Sequence, residues 1–104
     1  MDIEANAQIH INVVFVGFPR IYDFFHSNRI RHPLPGKTVT DLVEDLVSRH
    51  GETIRKSLLE ESTKRLDPTL QVRLNGTRVK REEFDRQTLQ AGDTLTFLRL
   101  LAGG

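Results

Sequence analysis

The chain contains no cysteine. That excludes a disulfide scaffold, a thiolate metal site and a cysteine nucleophile, and it fits a reducing compartment. Long apolar runs are also missing. The longest, Val13 to Phe18, is six residues with Gly17 inside it, far short of a membrane span. The opening Met1-Asp2-Ile3-Glu4 is acidic, with no basic stretch leading into an apolar one, so no signal peptide is expected. Charge of one sign is lacking too. Lys and Arg total 15 against 14 Asp and Glu, a net charge of +1. That balance argues against a protein whose main task is gripping nucleic acid. At 104 residues, one domain is expected. The reading is a soluble cytoplasmic domain with no membrane and no nucleic-acid partner.

Catalytic constellations are equally scarce. His10, His26, His32 and His50 are scattered, none at i, i+4 on a helix with a second ligand, so no metal site is expected. Each reads as a surface or partly packed imidazole. Glu60-Glu61 and Glu82-Glu83 are sequence neighbours that diverge on a helix, and read as solvated charge rather than an acid/base pair. Neither a P-loop nor G-x-G-x-x-G occurs. Arg29 and Arg31 share a strand face, and Arg78, Lys80 and Arg81 cluster. A sheet that binds RNA needs aromatics on its open face. Here Phe15 and Phe97 have core parity, so the arginines read as solvated.

What is present is a clear alternation of elements. Ile9 to Phe18 reads as a strand with Ile9, Ile11, Val13 and Phe15 on one face and Val14 and Val16 on the other. Residues Arg20 to Ser27 are left as a partly packed connection. Asn28 to Leu34 reads as an edge strand because of Pro33, and Pro35-Gly36 as a turn. Thr38 is placed to cap a helix, with Asp41 as its capping-box partner. Val39, Leu42, Val43, Leu46 and Val47 then form one apolar stripe, and Gly51 ends the helix. Thr53 is read as the cap of a shorter helix through Ile54, Leu58 and Leu59. Leu70 to Leu74 and Thr77 to Val79 form a hairpin around Asn75-Gly76. Thr94 to Leu100 is the last strand, with Leu95 and Phe97 inward.

Two strands, a main helix and two or three strands make an α+β domain with a mixed sheet laid over one helix. This is the order of a β-grasp, with the first and last strands side by side. The expected core is Ile11, Val13, Phe15, Val39, Leu42, Val43, Leu46, Val72, Leu74, Leu95 and Phe97. The domain is bounded as a flexible leader over 1–8, the folded unit over 9–101 and a flexible tail over 102–104.

That tail, Leu101-Ala102-Gly103-Gly104, follows a well-formed strand directly. Two glycines lack side chains and have few steric limits, so they can be drawn extended through a narrow channel. A carboxylate at Gly104 is a poor acyl donor until one oxygen becomes a leaving group, which an ATP-using partner supplies as an acyl-adenylate. The two-residue period turns Thr96, Leu98 and Leu100 outward beside this tail, where they read as a docking surface.

With these pieces in order, the chain resembles the ubiquitin-like sulfur carriers, the group of the molybdopterin synthase small subunit and the thiamine sulfur carrier. The segments that carry the resemblance are Ile11-Asn12-Val13-Val14-Phe15, Lys37-Thr38-Val39-Thr40-Asp41-Leu42, Val72-Arg73-Leu74-Asn75-Gly76, Leu89-Gln90-Ala91-Gly92-Asp93-Thr94-Leu95 and Leu101-Ala102-Gly103-Gly104. The resemblance implies a protein cosubstrate, not an enzyme. An E1-like adenylating enzyme would activate Gly104 with ATP and magnesium, and the carrier itself would bind no cofactor. A sulfur donor would then make a thiocarboxylate, and a downstream synthase would consume the sulfur. Two other readings stay open: a modifier joined to lysine through Gly104, and a non-covalent adaptor.

Overall fold

The computed structural model describes residues 10–33 and 37–100. The expected leader, the Pro35-Gly36 turn, Ile9, Leu34 and the tail Leu101 to Gly104 lie outside them. The described residues form, in order, β1 (His10–Val16), α1 (Pro19–Phe25), β2 (Arg29–Pro33), α2 (Val39–His50), α3 (Glu52–Leu58), β3 (Leu70–Leu74), β4 (Thr77–Val79), a 3₁₀ turn at Arg81–Glu83, and β5 (Thr94–Arg99).

The strands form one five-stranded sheet in the order β2-β1-β5-β3-β4. β1 and β5, the first and last strands, pair in parallel at its centre, and every other pairing is antiparallel. This is the β-grasp, ubiquitin-like architecture. β2 is an edge strand, as Pro33 suggested.

Helix α2 starts as its sequence dictates. The Thr38 hydroxyl accepts from the Asp41 amide, and the Asp41 carboxylate accepts from the Thr38 amide. Together they satisfy two donors that a helix start leaves unpaired. These hydrogen bonds hold the Asp41 carboxyl below its ordinary range. Arg49 and His50 close the helix, where cations suit its dipole. Val39, Leu42, Val43 and Leu46 are buried against the inner face of the sheet. They meet Ile11, Val13, Phe15, Val72, Leu95 and Phe97, all nearly inaccessible. The rings of Phe15 and Phe97, opposite each other in the parallel register, stack at 5.7 Å.

Four expectations need correction. The stretch from Arg20 to Ser27 is no loose connection: Pro19 to Phe25 is helical. Proline is favourable in a first helical turn because its missing N–H has no partner to lose, and His26 ends the helix with a φ of 59°. Ile21 then buries completely. Secondly, Thr53 does not cap α3; Gly51 takes that position without a side-chain bond, and the helix ends at Leu58. α2 and α3 share Gly51 as their joint, so no room remains for a separate capping turn. Thirdly, Leu74 is only half-buried, since it closes the exposed hairpin end of β3. Lastly, His32 is buried at 1% exposure, although every histidine read as surface or partly packed. The core also gains Phe18, Ile54, Leu58, Leu66, Leu70, Val79 and Leu89.

Candidate functional site

Only one face of the sheet is covered by α2; the other faces outward. On β5, Leu95 and Phe97 have no accessible surface, so Thr96 and Leu98 must point to the open face, where both are half-buried. Leu100 lies just past the strand and is 57% exposed. Parallel pairing sets Val14 opposite Thr96 and Val16 opposite Leu98. Val14 and Val16 therefore lie beside these residues rather than over them, and Val16 is 44% exposed. Nor does α1 cover the leucines, because it packs against α3. Val14, Val16, Leu98 and Leu100 thus make an apolar strip on the open face, running toward the chain's end. Gly104, expected as the adenylated and sulfur-carrying terminus, and Gly103, Ala102 and Leu101, expected to thread the channel, lie outside the described residues.

Two residues that sequence reasoning did not single out shape the end of β5. Gly17 follows β1 with a φ of +89°, and a Cβ there would stand 2.6 Å from the carbonyl oxygen of Arg99. Only glycine allows so close an approach in that conformation. Arg99 has inward parity, yet its guanidinium reaches out of the core. It donates to the Ser57 carbonyl at 2.7 Å, lies 5.1 Å from the centroid of the Phe18 ring, and stands 3.9 Å from the Asp67 carboxylate. Hydrogen bonds from Thr69 hold the Asp67 carboxyl low, and Arg99 adds to this. The last strand residue is therefore tied to Phe18 at the start of α1, to α3 and to the following loop. The available signal was a charged residue at core parity at the end of an apolar strand.

The other polar feature is buried. His32, on the inner face of edge strand β2, meets the Asp45 carboxylate of α2 at 2.6 Å. Arg49 donates to the same oxygen at 2.8 Å. Burial holds the His32 imidazole below its usual pKa and outweighs the opposing pull of Asp45. The hydrogen bond from His32 in turn holds the Asp45 carboxyl low. Thus a neutral imidazole donating to an ionised carboxylate pins β2 to α2. On the helix side, a cleft of about 450 Å³ lies between α2, the Leu59–Leu66 loop and the 3₁₀ turn. Val43, Val47, Leu59, Leu66 and Phe84 form its apolar lining. Arg81 spans part of it to the Leu66 carbonyl. Among the described residues no three His, Asp or Glu side chains gather to hold a metal, and no helix is long and apolar enough to cross a membrane.

The family model for ThiS matches residues 13–104, from the first strand through the glycine pair. The chain belongs to the ThiS family. This is a family of ubiquitin-fold sulfur carriers, proteins that serve as carriers rather than catalysts. Solved structures agree on the fold. SAMP1 from Haloferax volcanii superposes with a TM-score of 0.72 at 19% identity, over 91% of this chain and 99% of that one. A chain of the BexX/CysO complex from Amycolatopsis orientalis gives 0.67 at 26% identity, over 90% and 99%. Urm1 from Trypanosoma brucei gives 0.67 at 27% identity, over 92% and 96%. No curated protein matches the sequence.

Proposed function

We propose that this ThiS-family protein is a sulfur carrier that bears its cargo on Gly104. The observation that carries the reading is the family match extending through Gly103-Gly104, directly after a strand whose end is anchored by Arg99. In the first step an oxygen of the Gly104 carboxylate attacks the α-phosphorus of ATP, and pyrophosphate leaves. An E1-like adenylating enzyme with magnesium performs this. In the second, a hydrosulfide-level donor attacks the acyl carbon and AMP leaves, so one carboxylate oxygen is exchanged for sulfur. A downstream synthase then takes the sulfur for molybdopterin, thiamine or a related product. The carrier contributes a tail free of side chains at its last two positions, and a strip of Thr96, Leu98 and Leu100 beside it for the enzyme to grip. All of this chemistry is cytoplasmic in this reading.

The test is the intact mass of the purified chain after incubation with the adenylating enzyme of the same genome, ATP, magnesium and a sulfide source. A gain equal to one oxygen replaced by one sulfur, located on the C-terminal peptide, is the expected result. An unchanged mass alongside steady AMP release would refute the thiocarboxylate.

A second reading has its own support, the likeness in fold to the small archaeal modifier proteins of Haloferax volcanii and Methanosarcina acetivorans. In it the same activated Gly104 is joined to a lysine of a target through an isopeptide bond. Peptide mapping of cell extracts for a Gly-Gly remnant on lysine distinguishes it.

A further inference from the structure

The strand register distributes charge unevenly between the two faces of the sheet. Val14 stands opposite Arg29 on one side and Thr96 on the other; Thr96 stands opposite Arg73, and Arg73 opposite Arg78. One row therefore crosses the whole open face with an arginine on β2, β3 and β4 and an apolar or small residue between. The next row on β2 and β1 pairs Arg31 with Asn12. All four arginines are exposed. None forms an ion pair among the described residues, and no strand residue of this face is Asp or Glu. The described carboxylates lie on α1, α2, α3, the 3₁₀ turn and the loops instead. A chain with a net charge of only +1 thus concentrates positive charge on one surface.

We infer that the open face is an electrostatically steered docking surface whose partner is a protein presenting carboxylates around an apolar centre. For the identity of that partner, the adenylating enzyme, the inference rests on the function proposed above. The central strip of Val14, Val16, Leu98 and Leu100 supplies the desolvated middle, and the arginines on β2 and on β3–β4 flank it on two sides. Arginine suits this rim because its planar fork grips carboxylates bidentately. Like charges left facing one another across a sheet disfavour the free state, and an acidic partner relieves that repulsion. Single-stranded nucleic acid is the other polyanion such a surface could meet. It binds through bases stacked on aromatic rings, whereas among the described residues no strand presents a Phe or Tyr on this face: Phe15 and Phe97 are turned into the core. An apolar centre with charge at the rim favours protein.

The experiment measures association of the full chain with the adenylating enzyme of the same genome, by surface plasmon resonance at two salt concentrations. Three chains are compared: wild type, the double reversal Arg29→Glu/Arg73→Glu, and a control, Arg20→Glu/Lys56→Glu, on the helix side. The expected result is association about 10–100-fold slower for the first pair. Its melting temperature should not fall, since Arg73→Glu replaces the like-charge pair with Arg78 by an opposite-charge one; the wild-type rate should fall with salt, and the control should match wild type. Binding by wild type with no effect of the Arg29/Arg73 reversal would overturn the inference and leave the proposed function standing. Failure of wild type to bind at all would overturn both. Fluorescently labelled poly-uridylate is run in parallel; retention of this RNA by wild type but not by the Arg29/Arg73 variant would overturn a protein partner in favour of nucleic acid.

Discussion

Replacing Gly17 by alanine tests how the end of β5 is held beside the tail. The substitution acts twice. First, an L residue at a φ of +89° is strained, at about 1–3 kcal/mol. Secondly, the new Cβ would meet the Arg99 carbonyl oxygen at 2.6 Å. Ordinary carbon–oxygen contacts lie several tenths of an ångström further apart, so β1 or β5 must move. Neither is free to do so, since Phe15 and Phe97 stack across that same pair of strands. Overpacking of this kind adds about 1–3 kcal/mol. The sum, about 2–6 kcal/mol, is a large part of the 5–15 kcal/mol typical of a folded domain. Gly76 and Gly92 serve as controls. Their φ values of +87° and +88° match that of Gly17, yet nothing lies within 4 Å of a Cβ built at either. Urea unfolding of the three alanine variants separates strain from contact. The Gly17 variant should lose at least about 1 kcal/mol more than the other two, at an unchanged m-value. Equal losses at all three positions would refute the argument that the approach to Arg99 matters.

Other outcomes follow from the same structure. Leu46→Ala, at a site with no accessible surface, should cost about 2–5 kcal/mol in chemical denaturation; a loss below that of Val47→Ala at its half-buried neighbour would contradict the assigned helix face. Because burial depresses the His32 pKa, stability should be complete above its ordinary value of 6.5 and fall as pH drops below it. Asp45, also held low, adds a second fall below its ordinary 3.8. Burial depresses His50 too, so it shares the upper window. His32→Gln should therefore reduce but not abolish the slope there, while also altering the lower fall, because the His32 hydrogen bond is what chiefly holds Asp45 low; an unaltered upper slope in a pH series of melting curves would exclude His32. Gly103→Val should leave the melting temperature intact while blocking adenylation, since the branched side chain obstructs a narrow channel and stiffens the backbone; undiminished pyrophosphate release would count against threading. Leu98→Asp should weaken partner binding at least tenfold with the fold retained, whereas an unfolded variant would show that Leu98 belongs to the core.

The order of the five strands and of α2 and α3, the reciprocal Thr38–Asp41 cap, the Asn75-Gly76 hairpin and the centre of the core, Ile11, Val13, Phe15, Val39, Leu42, Val43, Leu46, Val72, Leu95 and Phe97, were legible in the sequence. These signals are local: a hydroxyl three residues from a carboxylate, an apolar stripe at helical spacing, a turn that needs positive φ. The outward parity of Thr96 and Leu98 was legible for the same reason, because a strand alternates whatever its neighbours do. Other features depend on which segments meet. α1 carries too weak a pattern to be read alone, and becomes helical where Pro19 can start it and Ile21 can bury. His32 looked like any exposed imidazole until α2 placed Asp45 against it. Arg29 and Arg73 are 44 positions apart in sequence, and only the strand order β2-β1-β5-β3 lays them in one row. Gly17 and Arg99 meet through the parallel pairing of the first and last strands, a contact between the chain's two ends that no local pattern encodes. Alternation decided which way each side chain points, but long-range pairing decided what it points beside.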